Sequence, residues 1–401
     1  MSYRWLASAL VAALIVTATP SVGPACPFCV SQGTTLAGEV AQADFILYGT
    51  LGNAVPAGGG FGGGTTDLTI DMVIKPHDVV KGKKVITIPR YVPPAPNGDK
   101  MKYLVFFNHN PADGSIDPYR GESVSAESKL PEYLKGAIDV RGKDAATRLQ
   151  YFFNHLEDKD SVISTDAYSE FAMADYKEIR QVAQKLSAAK LLTWLKDPNT
   201  RPTRYGLYGL LIGHCGKAED AKVIRAVLDD PERSYSSGLD GLVTGYIMLD
   251  PKAGWDYLLD MVKNTKNEFP VRYAGLKTVR FFWEFRPDIV PPTQSITAMK
   301  VLMEQADLAD LPIEDLRKWK VWEVSPLVLG YADKESHNQF PIVNRAILKY
   351  AIAASAADPK NTAAVEFVKK ARAKDAKKVE FLEELIKDEQ KPTAPATGGT
   401  P

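Results

Sequence analysis

The sequence predicts a multidomain α+β protein in which a small N-terminal β-barrel precedes an all-α solenoid. Three observations carry that reading. Residues 29–125 hold short runs rich in β-branched and aromatic residues, separated by Gly and Pro clusters. From about Lys129 to Asp388 apolar residues recur instead at i, i+3, i+4 and i+7. Within that second region, glycine-led segments repeat at intervals of 32 and 37 residues. Helix pairs at such a period bury their apolar faces only by stacking on neighbours.

Met1 to Ala25 reads as a secretory signal: Arg4 is the basic start, Leu6 to Ala18 is nearly all apolar, and small residues follow. The apolar run is too short for a comfortable transmembrane helix, and no later segment approaches about 18 uninterrupted apolar residues. The expectation is a soluble exported protein, periplasmic or extracellular, at most peripheral to a membrane. Cleavage after Ala25 makes Cys26 the first residue. A lipoprotein signal also ends before a cysteine, but Gly23-Pro24-Ala25 matches its usual Leu-small-small approach poorly. Lys plus Arg equal Asp plus Glu at 49 each, so no global field favours nucleic acid or an anionic membrane surface. Three cysteines are too few for a disulfide-built scaffold, and an odd count leaves one thiol over or paired between chains.

The β region, 26–125, contains a short helix near Gly33 to Ala43 and four or five strands. "DFILYGTLGNA" and "TTDLTIDMVIK" alternate over parts of their length, and "KKVITIPRYV" and "KYLVFF" have strand composition. "AGGGFGGG", Ala57 to Gly64, lacks the lysine and following helix of a phosphate loop and reads as a hairpin connection. Closure into a barrel removes exposed sheet edges. The helical region, 126–390, is punctuated by Asp197-Pro198, Asp230-Pro231, Asp250-Pro251 and Pro287-Asp288. Its repeats begin at Gly206, Gly238 and Gly275, and proline-led versions at Pro270 and Pro341. One charged helix, Asn361 to Gln390, caps the stack, and the tail 391–401 is polar and rich in Pro, Gly and Thr, a composition that favours disorder.

The order of Cys-x(n)-Cys, short helix, "ADFILYGTL", "VIKPHDVVKGKKVITIP" and "KYLVFF" resembles the netrin-type OB barrel shared with tissue inhibitors of metalloproteinases. The repeats resemble HEAT repeats, in which a proline and an arginine mark the first helix. That resemblance implies Arg204, Arg272 and Arg345 as the marking arginines. The whole chain resembles uncharacterised exported bacterial proteins that open with Cys-Pro-Phe-Cys and continue into helical repeats.

Cys26 and Cys29 are the candidate site. As a local disulfide they staple the N-terminus; as a thiol-disulfide oxidoreductase pair they would need a low-pKa sulfur at a helix start. The strand and βαβ frame that usually precede such a motif are missing. Val30 occupies the histidine position of a c-type haem motif. The inhibitor resemblance implies a third role, in which a mature N-terminal Cys26 chelates a protease zinc. That family uses Cys-x-Cys with distant partners, which this chain lacks. His77, His109, His155, His214 and His337 include no i, i+4 pair with a carboxylate, and His214-Cys215 reads as helix packing before a dyad. "NPADGSIDP" reads as a solvated turn. No nucleophile elbow, P-loop or dinucleotide fingerprint appears. The expectation is therefore a non-enzymatic binding or scaffold protein with no metal or cofactor, whose partner is a protein. Phe281, Phe282 and Trp283 in "VRFFWEF" are candidate partner contacts.

Overall fold

The computed structural model describes residues 26–28, 33–57, 63–93, 101–231, 237–389 and 391. Residues 1–25, where a signal segment is expected, Cys29, the centre of the Gly-rich loop and nearly all of the C-terminal tail lie outside the described residues. The first described element is helix α1 (Leu36–Gln42), followed by β1 (Phe45–Pro56), β2 (Gly64–Lys75), β3 (Val85–Ile88), β4 (Met101–His109) and β5 (Ile116–Ser125). These strands form one antiparallel sheet in the order β3-β2-β1-β4-β5.

The sheet is open where a barrel is expected. Strands β3 and β5 approach each other, but no ladder joins them among the described residues. With four residues, β3 is too short an edge to pair along the ten-residue β5. Side chains close the curl instead. Phe45, Leu47, Val105 and Phe107 point into it with Leu68, Val80 and Ile86, and the Phe45 and Phe107 rings stack across the ladder with centroids 4.5 Å apart. Ile46, Tyr48, Leu104 and Phe106 face the other way, into the helices. A strand covered on both faces carries a continuous apolar run, which is why "FILY" and "LVFF" are buried throughout and do not alternate.

Seventeen further α-helices follow among the described residues. The first are α2 (Leu130–Arg141), α3 (Ala145–Phe153), α4 (Ser161–Met173), α5 (Tyr176–Ala183) and α6 (Ala188–Lys196). Then come α7 (Tyr205–Cys215), α8 (Ala221–Leu228), α9 (Leu239–Leu249), α10 (Pro251–Lys263), α11 (Phe269–Phe285) and α12 (Pro292–Met303). The run ends with α13 (Asp310–Lys318), α14 (Ser325–Gly330), α15 (Glu335–Asn338), α16 (Pro341–Ala357), α17 (Thr362–Lys374) and α18 (Ala376–Glu389). The charged segment expected to be one helix is two, because the Asp375 carboxylate accepts the Lys378 N–H and caps a new start.

The glycine repeat has a packing cause. Helices α7, α9 and α11 lie side by side in chain order, with α8 and α10 beside them. Gly206 and Gly209 of α7 meet Gly241 and Gly245 of α9 backbone to backbone; a Cβ on Gly241 would fall 2.2 Å from the Gly206 carbonyl oxygen. Such an approach requires residues without a side chain. The arginines act differently from one another. Arg204 is buried over the Tyr168 ring and donates to the Ser164 carbonyl, whereas Arg272 donates to both carboxylate oxygens of Asp307 and to Gln305. Arg345 is exposed.

One face of the sheet shares a core with the helices. Cys26, Phe28, Leu36 and Val40 belong to the same apolar cluster as residues as distant as Ala364, so the expected boundary at residue 125 is crossed by packing. Helix α1 forms the joint. At seven residues it is too short to persist alone, and it is held at both ends by charge. At its start Asp166 of α4 accepts the Leu36 N–H at 2.5 Å and the Ala37 N–H at 3.2 Å. At its end the Lys75 ammonium donates to the carbonyls of Val40, Ala41 and Ala43. An anion at the N-terminus and a cation at the C-terminus both oppose the helix dipole.

Candidate functional site

Phe28 inserts between helices of the second region, its ring 5.1 Å from that of Phe281 on α11. Its carbonyl oxygen lies so close to Gly206 that a Cβ there would sit 2.8 Å away. Cys26 and Phe28 are each 5% exposed. Cys26 is disulfide-bonded, Cys215 carries a free thiol, and Cys29 lies outside the described residues. A sulfur that attacks external disulfides needs an accessible thiolate, and a chelating N-terminus needs an accessible amine; the burial of Cys26 favours neither. Replacing Phe28 by alanine removes about 2 kcal/mol of local docking. Reduction of the Cys26 disulfide by dithiothreitol is then expected to accelerate about tenfold. An unchanged rate would show that Phe28 does not shield the bond.

Beneath the motif sits a cluster that includes the suggested His-Cys neighbour pair. The His214 ring nitrogen Nε2 lies 3.1 Å from the Tyr176 hydroxyl, and Tyr176 packs edge-on against Phe281. Burial, followed by the nearby Arg286 and Arg180 charges, pushes the His214 imidazole down to about 4. Burial pushes the Cys215 thiol up to about 11. At neutral pH the pair is therefore a neutral imidazole and a protonated thiol, the reverse of an ion-pair nucleophile. Iodoacetamide is expected to alkylate Cys215 at pH 8 more than about tenfold slower than a cysteine in an unstructured peptide. Equal rates would contradict that protonation state.

A second buried polar group lies at the sheet–helix joint. Asp166 also accepts the Tyr133 hydroxyl at 2.8 Å, while Glu170 accepts the Thr35 hydroxyl at 2.5 Å with Arg148 at 3.7 Å. Burial raises the carboxyls of Asp166 and Glu170. The cluster ties the start of α1 to α4 and ties α4 to α2 and α3. Its work is structural.

The remaining histidines are distributed. His77 and His109 lie 4.9 Å apart, ring to ring, beside Phe45, and His337 is fully buried with Nε2 2.8 Å from the Met303 carbonyl. Among the described residues no three His, Cys, Asp or Glu side chains gather in a metal-holding group. Nor is any helix long and apolar enough to cross a membrane. The "NPADGS" segment is a tight turn between β4 and β5, closed by Asn110 and Ser115, with Gly114 at φ +72°.

Of the three aromatic candidates, Phe281 and Phe282 are spent on the core. Trp283 is half-buried and stacks on Trp319, with centroids 4.1 Å apart and planes 9° from parallel. Trp319 leads to the most promising surface. The C-terminal helices α13, α16, α17 and α18 enclose an open groove of about 1180 Å³. Trp322, Ile352, Val368 and Ile386 contribute apolar surface; Arg317, Lys318, Lys320, Arg372 and Lys387 contribute positive charge, against the carboxylates of Glu383 and Glu389. The signal was present in "LRKWKVWE", Leu316 to Glu323, where cations interleave with tryptophans. It becomes a site only because α16 to α18 fold back across it. A smaller cavity of about 710 Å³ beside α9 to α11 has the Arg225 guanidinium 4.7 Å above the Tyr257 ring, and there Asp229 neutralises that cation.

A comparison of the chain with protein-family models, with curated proteins and with solved structures finds no match.

Proposed function

We propose that the chain is an exported, non-enzymatic binding or scaffold protein whose helical region offers its surface to a partner protein. The observation that carries this reading is the groove across α13, α16, α17 and α18, which combines an apolar floor with a cationic rim. Concave surfaces of this kind are how stacked helices take up protein segments. The helical run is read as a HEAT-like solenoid, supported by the packing of α7, α9 and α11 in chain order and by the close glycine contact of α7 with α9. The open sheet stands where an OB or netrin-like barrel is expected. The bond at Cys26 is assigned to Cys29 as a local staple, because Cys215 is free and the sequence has three cysteines.

Chemical cross-linking and mass spectrometry of the exported protein in its own compartment tests the reading. Partner peptides joined to lysines of the helical region are expected, and the Cys26→Ser/Cys29→Ser double variant is expected to return the same set. Loss of the cross-links in that variant, together with dithiol turnover by the unmodified protein, would transfer the assignment to a thiol-disulfide oxidoreductase. Inhibition of a zinc protease that depends on a free Cys26 amine would transfer it to an inhibitor.

A further inference from the structure

The groove has a polarity that narrows its occupant. Several of its charges, the buried Arg317 and Lys349 among them, are already matched. Arg317 and Lys349 share the carboxylates of Glu314 and Glu389, and Arg372 pairs with Glu383. Lys318, Lys320 and Lys387 are exposed and form no salt bridge among the described residues. A surplus of three lysines around one groove is local, since the whole chain is formally neutral.

Lys320 supplies an independent observation. Helix α13 ends in a paired cap, in which the Lys320 N–H donates to the Arg317 carbonyl and the Val321 N–H to the Leu316 carbonyl. This motif places the residue after the cap in the left-handed region, where glycine is usual. Lys320 holds that position at φ +59°, one of two non-glycine residues with positive φ among those described. A side chain there costs about 1 kcal/mol relative to glycine, and backbone strain of this sort gathers where a side chain is needed. The strained residue is the one that brings an ammonium to the rim of the groove.

We propose that the groove binds an acidic, amphipathic segment of a partner protein, with its carboxylates on Lys318, Lys320 and Lys387 and its apolar side chains on Trp322, Ile352 and Ile386. This rests on the reading of the chain as a binding protein. A protein segment is favoured over a lipid surface because the lysines border a concavity, into which a helix or extended strand of residues fits and a flat headgroup plane does not.

The test uses the full chain and fluorescence anisotropy. The probe is a labelled, amidated peptide of about 15 residues with Glu and Leu at helical spacing; the control carries Lys in place of Glu. The acidic peptide is expected to bind and the basic one not, with affinity falling as salt rises. The K318E/K320E/K387E variant is expected to weaken binding by about tenfold or more, and K320G by about threefold while raising the denaturation midpoint. Should the charge reversal disturb folding, K318Q/K387Q carries the same comparison without adding charge. Equal binding of both peptides overturns the proposal, as does unchanged affinity in a reversal variant with the parental unfolding midpoint. Capture of phosphatidylglycerol vesicles without peptide binding also overturns it, in favour of a lipid. If the peptide fails while partner cross-links persist elsewhere on the helices, the groove is removed and the binding role stands; if both fail, both fall.

Discussion

Alanine in place of Asp166 is expected to cost about 4 kcal/mol, because three donors lose their acceptor together in a buried place. The Leu36 and Ala37 N–H groups have no partner inside α1, and the Tyr133 hydroxyl is buried with them. Tyr133→Phe, which removes one donor cleanly, should cost far less. Denaturant midpoints of the two variants decide the matter; similar losses would mean that the helix start is not the seat of the effect. The substitution also has a pH signature. Burial raises the Asp166 carboxyl above its unfolded value, so the folded state binds a proton more readily than the unfolded one. Its contribution therefore opposes folding above the raised pKa and is relieved as pH falls toward the ordinary carboxylate range near 4. Asp166→Asn should lose that relief: the stability difference between parent and variant shifts in the parent's favour on acidification through that window. A difference independent of pH would contradict the assignment.

Gly241→Ala is expected to destabilise by about 3 kcal/mol. The added methyl would lie 2.2 Å from the Gly206 carbonyl oxygen and 2.5 Å from the Gly206 Cα, both backbone atoms, so α7 and α9 must separate. A flexible side chain could move aside; a helix backbone cannot without disturbing its neighbours. Gly330→Ala is the matched control, for it is also helical and an added Cβ there meets nothing within 4 Å. Removing its extra backbone freedom should be neutral or stabilising by about 0.5 kcal/mol. Equal losses at the two positions would assign the effect to helix propensity and sink the close-approach explanation.

These two sites differ in how much of them the sequence discloses. The spacing of Gly206, Gly238 and Gly275 was legible as a repeat, and the helices do fall there. What the spacing could not say is that Gly206 and Gly238 meet while Gly275 packs on Val262 and Met261, because contact between residues about 32 apart depends on how two helices roll together. Asp166 left no mark at all. In "SVISTDAYSEF" it reads as a polar position on an ordinary amphipathic helix, and its role arises from a partner 130 residues earlier. The β region was legible in composition and order, but barrel closure depends on the length of β3, which the residues of "KKVITIPRYV" do not reveal. The Cys-Pro-Phe-Cys segment reads from the sequence as a staple of the N-terminus. Its Phe28 packs against Phe281, more than 250 residues further along the chain, a contact that the sequence does not announce. The groove was half legible: its cations and tryptophans are adjacent in sequence, while its opposite wall comes from α16 to α18.

The clamp on α1 also orders events in time. A seven-residue helix that needs Asp166 at one end and Lys75 at the other cannot persist in a growing chain until α4 has been delivered. Phe28 must wait longer still, for α11. Residues 26–28 and 36–42 thus settle only after the helices that follow them have formed.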